Sequence, residues 1–425
     1  MQYRLFLFLY IFYLSALTSD ISGQTVYSLN QALKDAVDQA PTGLIAKIAQ
    51  TELELKLKSL SSKNLPQLAF GAQATYQSAT TGLDLSLPGF AIPRLSRDQY
   101  KMQLDASQMI YDGGSTSIQK NIAGLNYNLE TAQVMLDMEQ VKEQIINVFF
   151  GILESKLRLE IISHKKEDIS ASLSKIEVAV TNGVVLKSEL KNLQAELLSL
   201  SQVETEIRYI KKNQISIMNL LTNLNHDEST VFEAPELSES NVPNYTIRPM
   251  FRILILQTNQ IDQITKLDFA FSKPKLLLFA QGGYGKPGLN FLKNEFTEYY
   301  IGGLKLQWNL NKLYTSSKDK EISVLQKQKI ESKRLAYTQQ TEIRLTTLEN
   351  EVNKYKEQFN IDFEILALRN EIKNIAKIKL EQGALTSSEF LSSVNDENEA
   401  MINKELHQLM RLKSTYLYQL MGGNL

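Results

Sequence analysis

The stretch "LEQGALTSSEF", residues 380–390, repeats a pattern the chain has already written as "VTNGVVLKSEL" at residues 180–190. Gly183, Ser188 and Glu189 return as Gly383, Ser388 and Glu389 at an offset of 200 residues. Each stretch interrupts a region poor in helix breakers: Gly183 is the sole glycine of residues 152–281, and Gly383 the sole glycine of 304–421. Residues 94–234 and 288–425 contain no proline. Because proline breaks helix interiors and glycine supplies the left-handed residue that stops a helix, each region reads as a long helix, a glycine turn and a returning helix. Outside these regions, Pro41, Pro66 and Tyr76 match Pro249, Pro274 and Tyr284 at an offset of 208 residues. The chain is a tandem duplication.

Each copy opens on a helical stretch, "LNQALKDAVDQAPTGLIAKIAQTELELKLKSLSSKN" in the first and "RPMFRILILQTNQIDQITKLDFAFSK" in the second. The period then falls from about 3.6 to 2. In "QLAFGAQATYQ" Leu68, Phe70, Ala72, Ala74 and Tyr76 oppose Gln67, Gly71, Gln73, Thr75 and Gln77. In "QYKMQLDASQMI" Tyr100, Met102, Leu104, Ala106 and Ile110 oppose Gln99, Lys101, Gln103, Asp105 and Ser107. "KLLLFAQGGY" and "EYYIGGLKLQWNL" repeat the pattern in the second copy. The spacing predicts strands at about 66–78, 98–110, 274–285 and 297–310, each long enough to cross a bilayer when tilted. A soluble sheet packed on a core alternates in the same way, and the strands alone leave both readings open.

The long elements favour the first. Helices over about 113–181 and 313–381, each roughly 70 residues and about 100 Å, exceed what a compact globule uses. The return segments are expected at about 186–224 and 386–421. The first carries Leu186, Leu190, Leu193, Leu197, Leu200, Val203, Ile207 and Ile210 at spacings of four and three, a coiled-coil seam. The expected organisation is a signal peptide at 1–23, a first repeat at 24–228, a linker at 229–248 and a second repeat at 249–425.

The signal peptide rests on Arg4, the apolar run Leu5–Leu17 and the small and polar residues up to Gly23, since that run is too short to span ~30 Å of hydrocarbon. With 46 Lys plus Arg against 47 Asp plus Glu, there is no basic stripe for nucleic acid. There is no cysteine for a disulfide or a lipid anchor. No later apolar run reaches eighteen residues, so a membrane is not entered with helices.

The order helix, strand, strand, very long helix, glycine turn, helix, written twice behind a signal sequence, resembles the TolC-like outer membrane efflux proteins. Further echoes are "LPQL" at 65–68, "SQMIYDGG" at 107–114 and the Ser-Glu that follows each glycine turn. The resemblance covers residues 24–425. It implies a mainly α fold with a membrane β-barrel portion, internally duplicated, in which a long-helix α-barrel continues a trimeric twelve-stranded β-barrel with four strands per protomer. It also implies a homotrimer in the cell outer membrane, extending into the periplasm as the exit duct for efflux or type I secretion. Its partners would be outer membrane lipid, a periplasmic adaptor (membrane fusion) protein and an inner-membrane pump. The chain itself asks for copies, because four strands cannot close a barrel and open edges cannot face lipid.

On this resemblance Gly183, Val184, Val185, Gly383, Ala384 and Leu385 form the adaptor-contact helix tips. Locally, glycine simply stops each helix and short apolar residues close the turn. Glu389, and by symmetry Glu189, would ring the closed tunnel end as a pore constriction, although Ser392 stands where the family has a second acid. For Glu389 a helix-capping role with Thr386 is the competing reading, since T-x-x-E marks a helix start. Asp112, Gly113 and Gly114 form the strand-to-helix junction; the second copy writes "LNKL" there without glycine and must bend differently.

Other motifs carry no chemistry. "GYGKPG" at 283–288 fits G-x-G-x-x-G, but proline and another strand pattern follow it where a dinucleotide site needs a helix. It and "TTGLDLSLPGFAIPRLS" in the first copy are expected as hairpin loops. His164, His226 and His407 lack metal-ligand spacing and are expected on helix faces or the surface. No methionine cluster and no nucleophile elbow appears. The expectation is a protein that is not an enzyme and has no cofactor and no metal. The alternative function is a non-channel, trimeric periplasmic coiled-coil protein with a structural or adhesive role.

Overall fold

The computed structural model describes residues 26–80, 95–237 and 242–425. The expected signal peptide and most of the first hairpin loop lie outside the described residues. The elements run β1 (Val26–Ser28), α1 (Leu29–Gln39), α2 (Thr42–Ser62), β2 (Gln67–Tyr76), β3 (Asp98–Tyr111), α3 (Ser115–Thr181) and α4 (Lys187–Thr222). After β4 (Val231–Glu233) and a 3-10 turn (Tyr245–Ile247) follow α5 (Pro249–Phe271), β5 (Lys275–Lys286), β6 (Thr297–Gln307), α6 (Lys312–Glu381) and α7 (Ser387–Met421). The chain divides into two units: Met1–Gly43, Met135–Arg248 and Thr338–Leu425 form one, Leu44–Val134 and Pro249–Tyr337 the other.

The opening helical stretch is not continuous. Ala40 is extended, with φ −62° and ψ 128°, and α1 ends before it. The cause is Pro41, whose ring disfavours the helical conformation of the residue before it. Only then does α2 begin.

In the unit that contains the strands, the sheet has the order β2-β3-β5-β6, with every neighbouring pair antiparallel. Registered partners share a face, and the registers Leu68↔Ala106↔Ala280↔Gly302, Phe70↔Leu104↔Gly282↔Tyr300 and Leu278↔Leu304 gather the apolar alternation of all four strands on one side. The register shifts between Met109 and Tyr111. Ile110 becomes the extra residue of a bulge, and Tyr111, opposite Leu276, takes the place on the apolar face that plain alternation assigns to Ile110.

In the other unit, β1 and β4 pair in parallel, Val26 opposite Val231. Ser28 Oγ accepts from Gln31 N at 3.3 Å and caps α1. Leu29, Ala32, Leu33 and Ala36 turn one face of α1 inward to a core with Phe149, Phe150, Ile145, Met218 and Leu420. Full burial of each large apolar side chain there stabilises by roughly 1.5–3 kcal/mol. A second core joins Ile169, Ile176, Leu193, Leu200, Leu380, Phe390 and Val394 from α3, α4, α6 and α7 toward the glycine turns. Leu193 and Leu200 of the expected seam are buried, whereas Val203 and Ile210 are exposed. Among the described residues no helix is long and apolar enough to cross a membrane.

Candidate functional site

The two glycine turns are built alike. Gly183 has φ 71° and Gly383 φ 69°. Val184 N donates to Ala179 O at 2.9 Å and Gly183 N to Val180 O at 3.0 Å; Ala384 N and Gly383 N repeat these bonds to Lys379 O and Leu380 O. This is the Schellman pattern, and it satisfies carbonyls that a helix end leaves unpaired. The turns lie together: a Cβ on Gly383 would stand 3.9 Å from Val184 Cγ1, and Lys175 Nζ meets Glu381 Oε1 at 2.5 Å. Val184 is 70 % exposed, and Gly183, Gly383 and Ala384 are exposed too. Val185 and Leu385 are half-buried against the core beneath.

The two glutamates part company. Thr386 caps α7: its Oγ1 accepts from Glu389 N at 3.3 Å, and Glu389 Oε2 accepts from Thr386 N at 2.9 Å, a complete capping box. The backbone hydrogen bond from Thr386, and then its hydroxyl, hold the Glu389 carboxyl below the usual range. The equivalent cap of α4 is Leu186, which has no side-chain acceptor. Glu189 instead reaches across the duplication, and its Oε2 accepts from Ser387 N at 2.8 Å and from the Ser387 hydroxyl. The first repeat's acid thereby serves the N-terminus of the second repeat's helix. No local motif announces Ser387, because its partner lies 198 residues away.

Behind the turns, Lys373 Nζ stands 3.0 Å from Asp168 Oδ2 and 3.2 Å from Glu397 Oε1, with Glu397 only 4 % exposed. Burial lowers the Lys373 pKa, but Asp168 and Glu397 outweigh it and the value is raised overall. This triad was not legible in the sequence, where its members are ordinary helix charges.

In the unit that carries the sheet, the junction residues form the start of α3. Asp112 Oδ1 accepts from Gly114 N at 2.8 Å, and its Oδ2 from Thr116 N at 2.6 Å and Ser115 Oγ at 2.9 Å. Burial raises the Asp112 carboxyl, yet these hydrogen bonds prevail and hold it at about 2. Gly113 and Gly114 take φ 75° and 89°, and a Cβ on Gly113 would stand 2.6 Å from Ala270 O. The second junction bends on Asn309, whose Oδ1 accepts from Asn311 N at 3.1 Å, while Trp308 Nε1 donates to Ser272 O at 2.8 Å.

The apolar face of the sheet is uncovered, with Phe70 71 %, Leu304 67 % and Tyr300 88 % exposed. The opposite face is polar: Gln103 Nε2 donates to Asp105 at 2.8 Å, Gln281 also donates to Asp105, and Lys101 lies near Tyr299. Gly283 and Gly285 of the G-x-G-x-x-G match fall inside β5, and no helix follows them. Among the described residues no group of acids, histidines or cysteines could hold a metal. His164 is exposed on α3 and His407 lies on α7, where its Nδ1 meets the buried Asp362 at 2.6 Å; His226 departs from expectation, half-buried beyond the end of α4 with its ring 4.1 Å from Tyr27.

No family model and no curated protein matches the chain. Solved structures do. The Campylobacter jejuni CmeC outer membrane channel aligns with a TM-score of 0.69 at 14 % identity, over 93 % of this chain and 86 % of that one. The outer membrane protein VceC of Vibrio cholerae gives 0.67 at 14 % identity over 93 % and 96 % of the two chains. The open state of the Neisseria gonorrhoeae MtrE outer membrane channel gives 0.68 at 14 % identity over 93 % and 89 %. At such identity the likeness is one of architecture: the chain has the TolC-like fold of the outer membrane channels, with an internally duplicated set of long helices and four strands.

Proposed function

We propose that the protein is an outer membrane exit duct for efflux or type I secretion, without catalysis of its own. The carrying observation is the sheet: its apolar face is exposed, and β2 and β6 each pair on one side only among the described residues. Such a face and such edges are stable in hydrocarbon only if further strands close the sheet, and three copies supply twelve. The polar face then lines the lumen. The proposed organisation keeps the signal peptide at 1–23 and the two repeats joined by the linker at 229–248. Fractionation tests the reading: the protein is expected in the outer membrane as a heat-modifiable, high-mass species that conducts ions in planar bilayers. Recovery as a soluble periplasmic protein without conductance would sink it.

The tips are proposed as the docking surface for a periplasmic adaptor that couples the duct to an inner-membrane pump. The exposure of Val184 and Ala384 beside two rigid turns supports this, because a small apolar patch with no core to enter marks contact surfaces. Glu189 and Glu389 are proposed to place negative charge at the tunnel end, repeated by threefold symmetry. Capping is compatible with that role, since an oxygen that accepts a backbone hydrogen bond keeps its carboxylate at the tip.

A further inference from the structure

Two aromatic rings lie across glycines on the polar face of the sheet. Tyr299 opposes Gly283, where a Cβ would collide with its ring. Phe279 opposes Gly303, where a Cβ would stand 3.3 Å from Phe279 Cε1. Glycine at these two positions lets each ring lie along the sheet instead of standing away from it. Phe279 and Tyr299 sit on adjacent strands, four residues apart in register, about 13 Å along the strand direction.

The groups around the rings are amides and a cation. Tyr299 Oη donates to Gln103 Oε1 at 3.4 Å, and Asp105 is occupied by the amides of Gln103 and Gln281. Lys101 Nζ stands 5.8 Å from the Tyr299 ring centroid. Beside Tyr299 is a concavity of about 350 Å³ lined by Gln73, Thr75, Gln99, Lys101 and Gln281, at the small end of ligand-pocket sizes. With Asp105 engaged, its charge is set by Lys101 and by Lys286, whose Nζ stands 3.6 Å from Asp98 Oδ2.

We propose that this face binds planar aromatic solutes bearing a negative or hydrogen-bond-accepting rim, with Tyr299 and Phe279 as stacking surfaces and Lys101 and the amides at the rim. This rests on the duct reading, in which the polar face meets the cargo. Tyr299 and Phe279 are half-buried, each backed by a glycine on one side; stacking uses the side turned from the glycine, and Lys101, Gln99 and Gln281 supply donors for the rim. Rings over glycines also stabilise a sheet by themselves, and that role alone predicts no ligand.

The test is a fluorescence titration of the detergent-solubilised full-length protein with 1-naphthoate, corrected for empty micelles. Cyclohexanecarboxylate and 1-naphthylmethylammonium serve as competitors. Saturable naphthoate binding is expected, about three- to tenfold weaker in Tyr299→Leu and Gly283→Ala, with unchanged circular dichroism. Both competitors should displace naphthoate poorly. Absence of saturable binding to the native protein, equal affinity in both variants, or equal displacement by cyclohexanecarboxylate overturns the proposal. Bilayer conductance on the same preparation separates the two readings: a conducting protein that does not bind naphthoate overturns only the aromatic track. A protein that binds naphthoate, loses it in Tyr299→Leu and does not conduct overturns only the duct.

Discussion

Glu189 Oε2 accepts a hydrogen bond from Ser387 N at 2.8 Å, so the acid of one hairpin caps the returning helix of the other. The two hairpins are thus tied at their tips by a bond between repeats. Glu189→Ala removes it and should cost about 0.5–2 kcal/mol locally, as loss of a helix cap does. Hydrogen exchange at residues 384–390 should quicken in this variant and stay unchanged near Asn223. Protection at Ser387 equal to that of the native protein would show the bond to be idle.

The same acids provide the test of the tunnel-end charge. Glu189→Gln with Glu389→Gln should relieve block of the open channel by multivalent cations in bilayers. Unchanged block in the double variant argues against a ring.

Gly183 holds φ 71° with open space where a Cβ would be, so Gly183→Ala meets backbone strain and no clash. A destabilisation of about 1–2 kcal/mol is expected. Val184→Trp, by contrast, changes an exposed side chain; it should leave a folded trimer in the outer membrane while efflux is lost, read by cargo accumulation. Normal efflux in Val184→Trp would remove the tips from adaptor docking.

Asp112 caps α3 with a carboxyl held at about 2, against an ordinary value of 3.8. A depressed value means that its contribution is fully present above 3.8 and is lost as pH falls toward 2. Acid titration of native protein and Asp112→Ala should show stabilities that differ by about 1–2 kcal/mol near neutrality and draw together as pH falls from 3.8 to about 2. Parallel curves down to pH 2 would contradict the assignment.

Lys373→Met leaves Glu397, 4 % exposed, without its cation. A loss of about 3–5 kcal/mol is expected, most of it recovered in Lys373→Met with Glu397→Leu, because an unpaired buried charge costs more than an apolar replacement of the pair. The raised Lys373 value puts the pH signature on the alkaline side: the contribution is present below lysine's ordinary range and fades as pH rises through the raised value. Thermal melts of the two variants decide it.

The fold class was legible because its signals are long and redundant. Proline-free stretches, two glycine stops and four alternating runs all recur in the second copy, at offsets of 200 to 208 residues where residues match, so each copy checks the other. What the sequence hid is short or non-local. Strands β1 and β4 have three residues each, too few to show a period. The helix break at Ala40 has one residue, Pro41, as its signal, and the bulge at Ile110 is one residue long. At the tips, the Thr386–Glu389 box could be read from four residues, whereas Glu189 and Ser387 are joined only by folding. The rings over Gly283 and Gly303 leave no local signal, because each pair sits on two strands.

The parallel pairing of Val26 with Val231 also orders assembly in time. Their loop spans roughly 200 residues, and its closure entropy rises only slowly with length, so the pairing is thermodynamically tolerable but slow to find. A chain emerging N-terminus first has nothing for Val26 to pair with until the linker has appeared. Strand β1 is therefore paired only after the linker has appeared, and a chain truncated before Val231 leaves Val26–Ser28 without this strand partner even where α1 packs on Phe149 and Phe150.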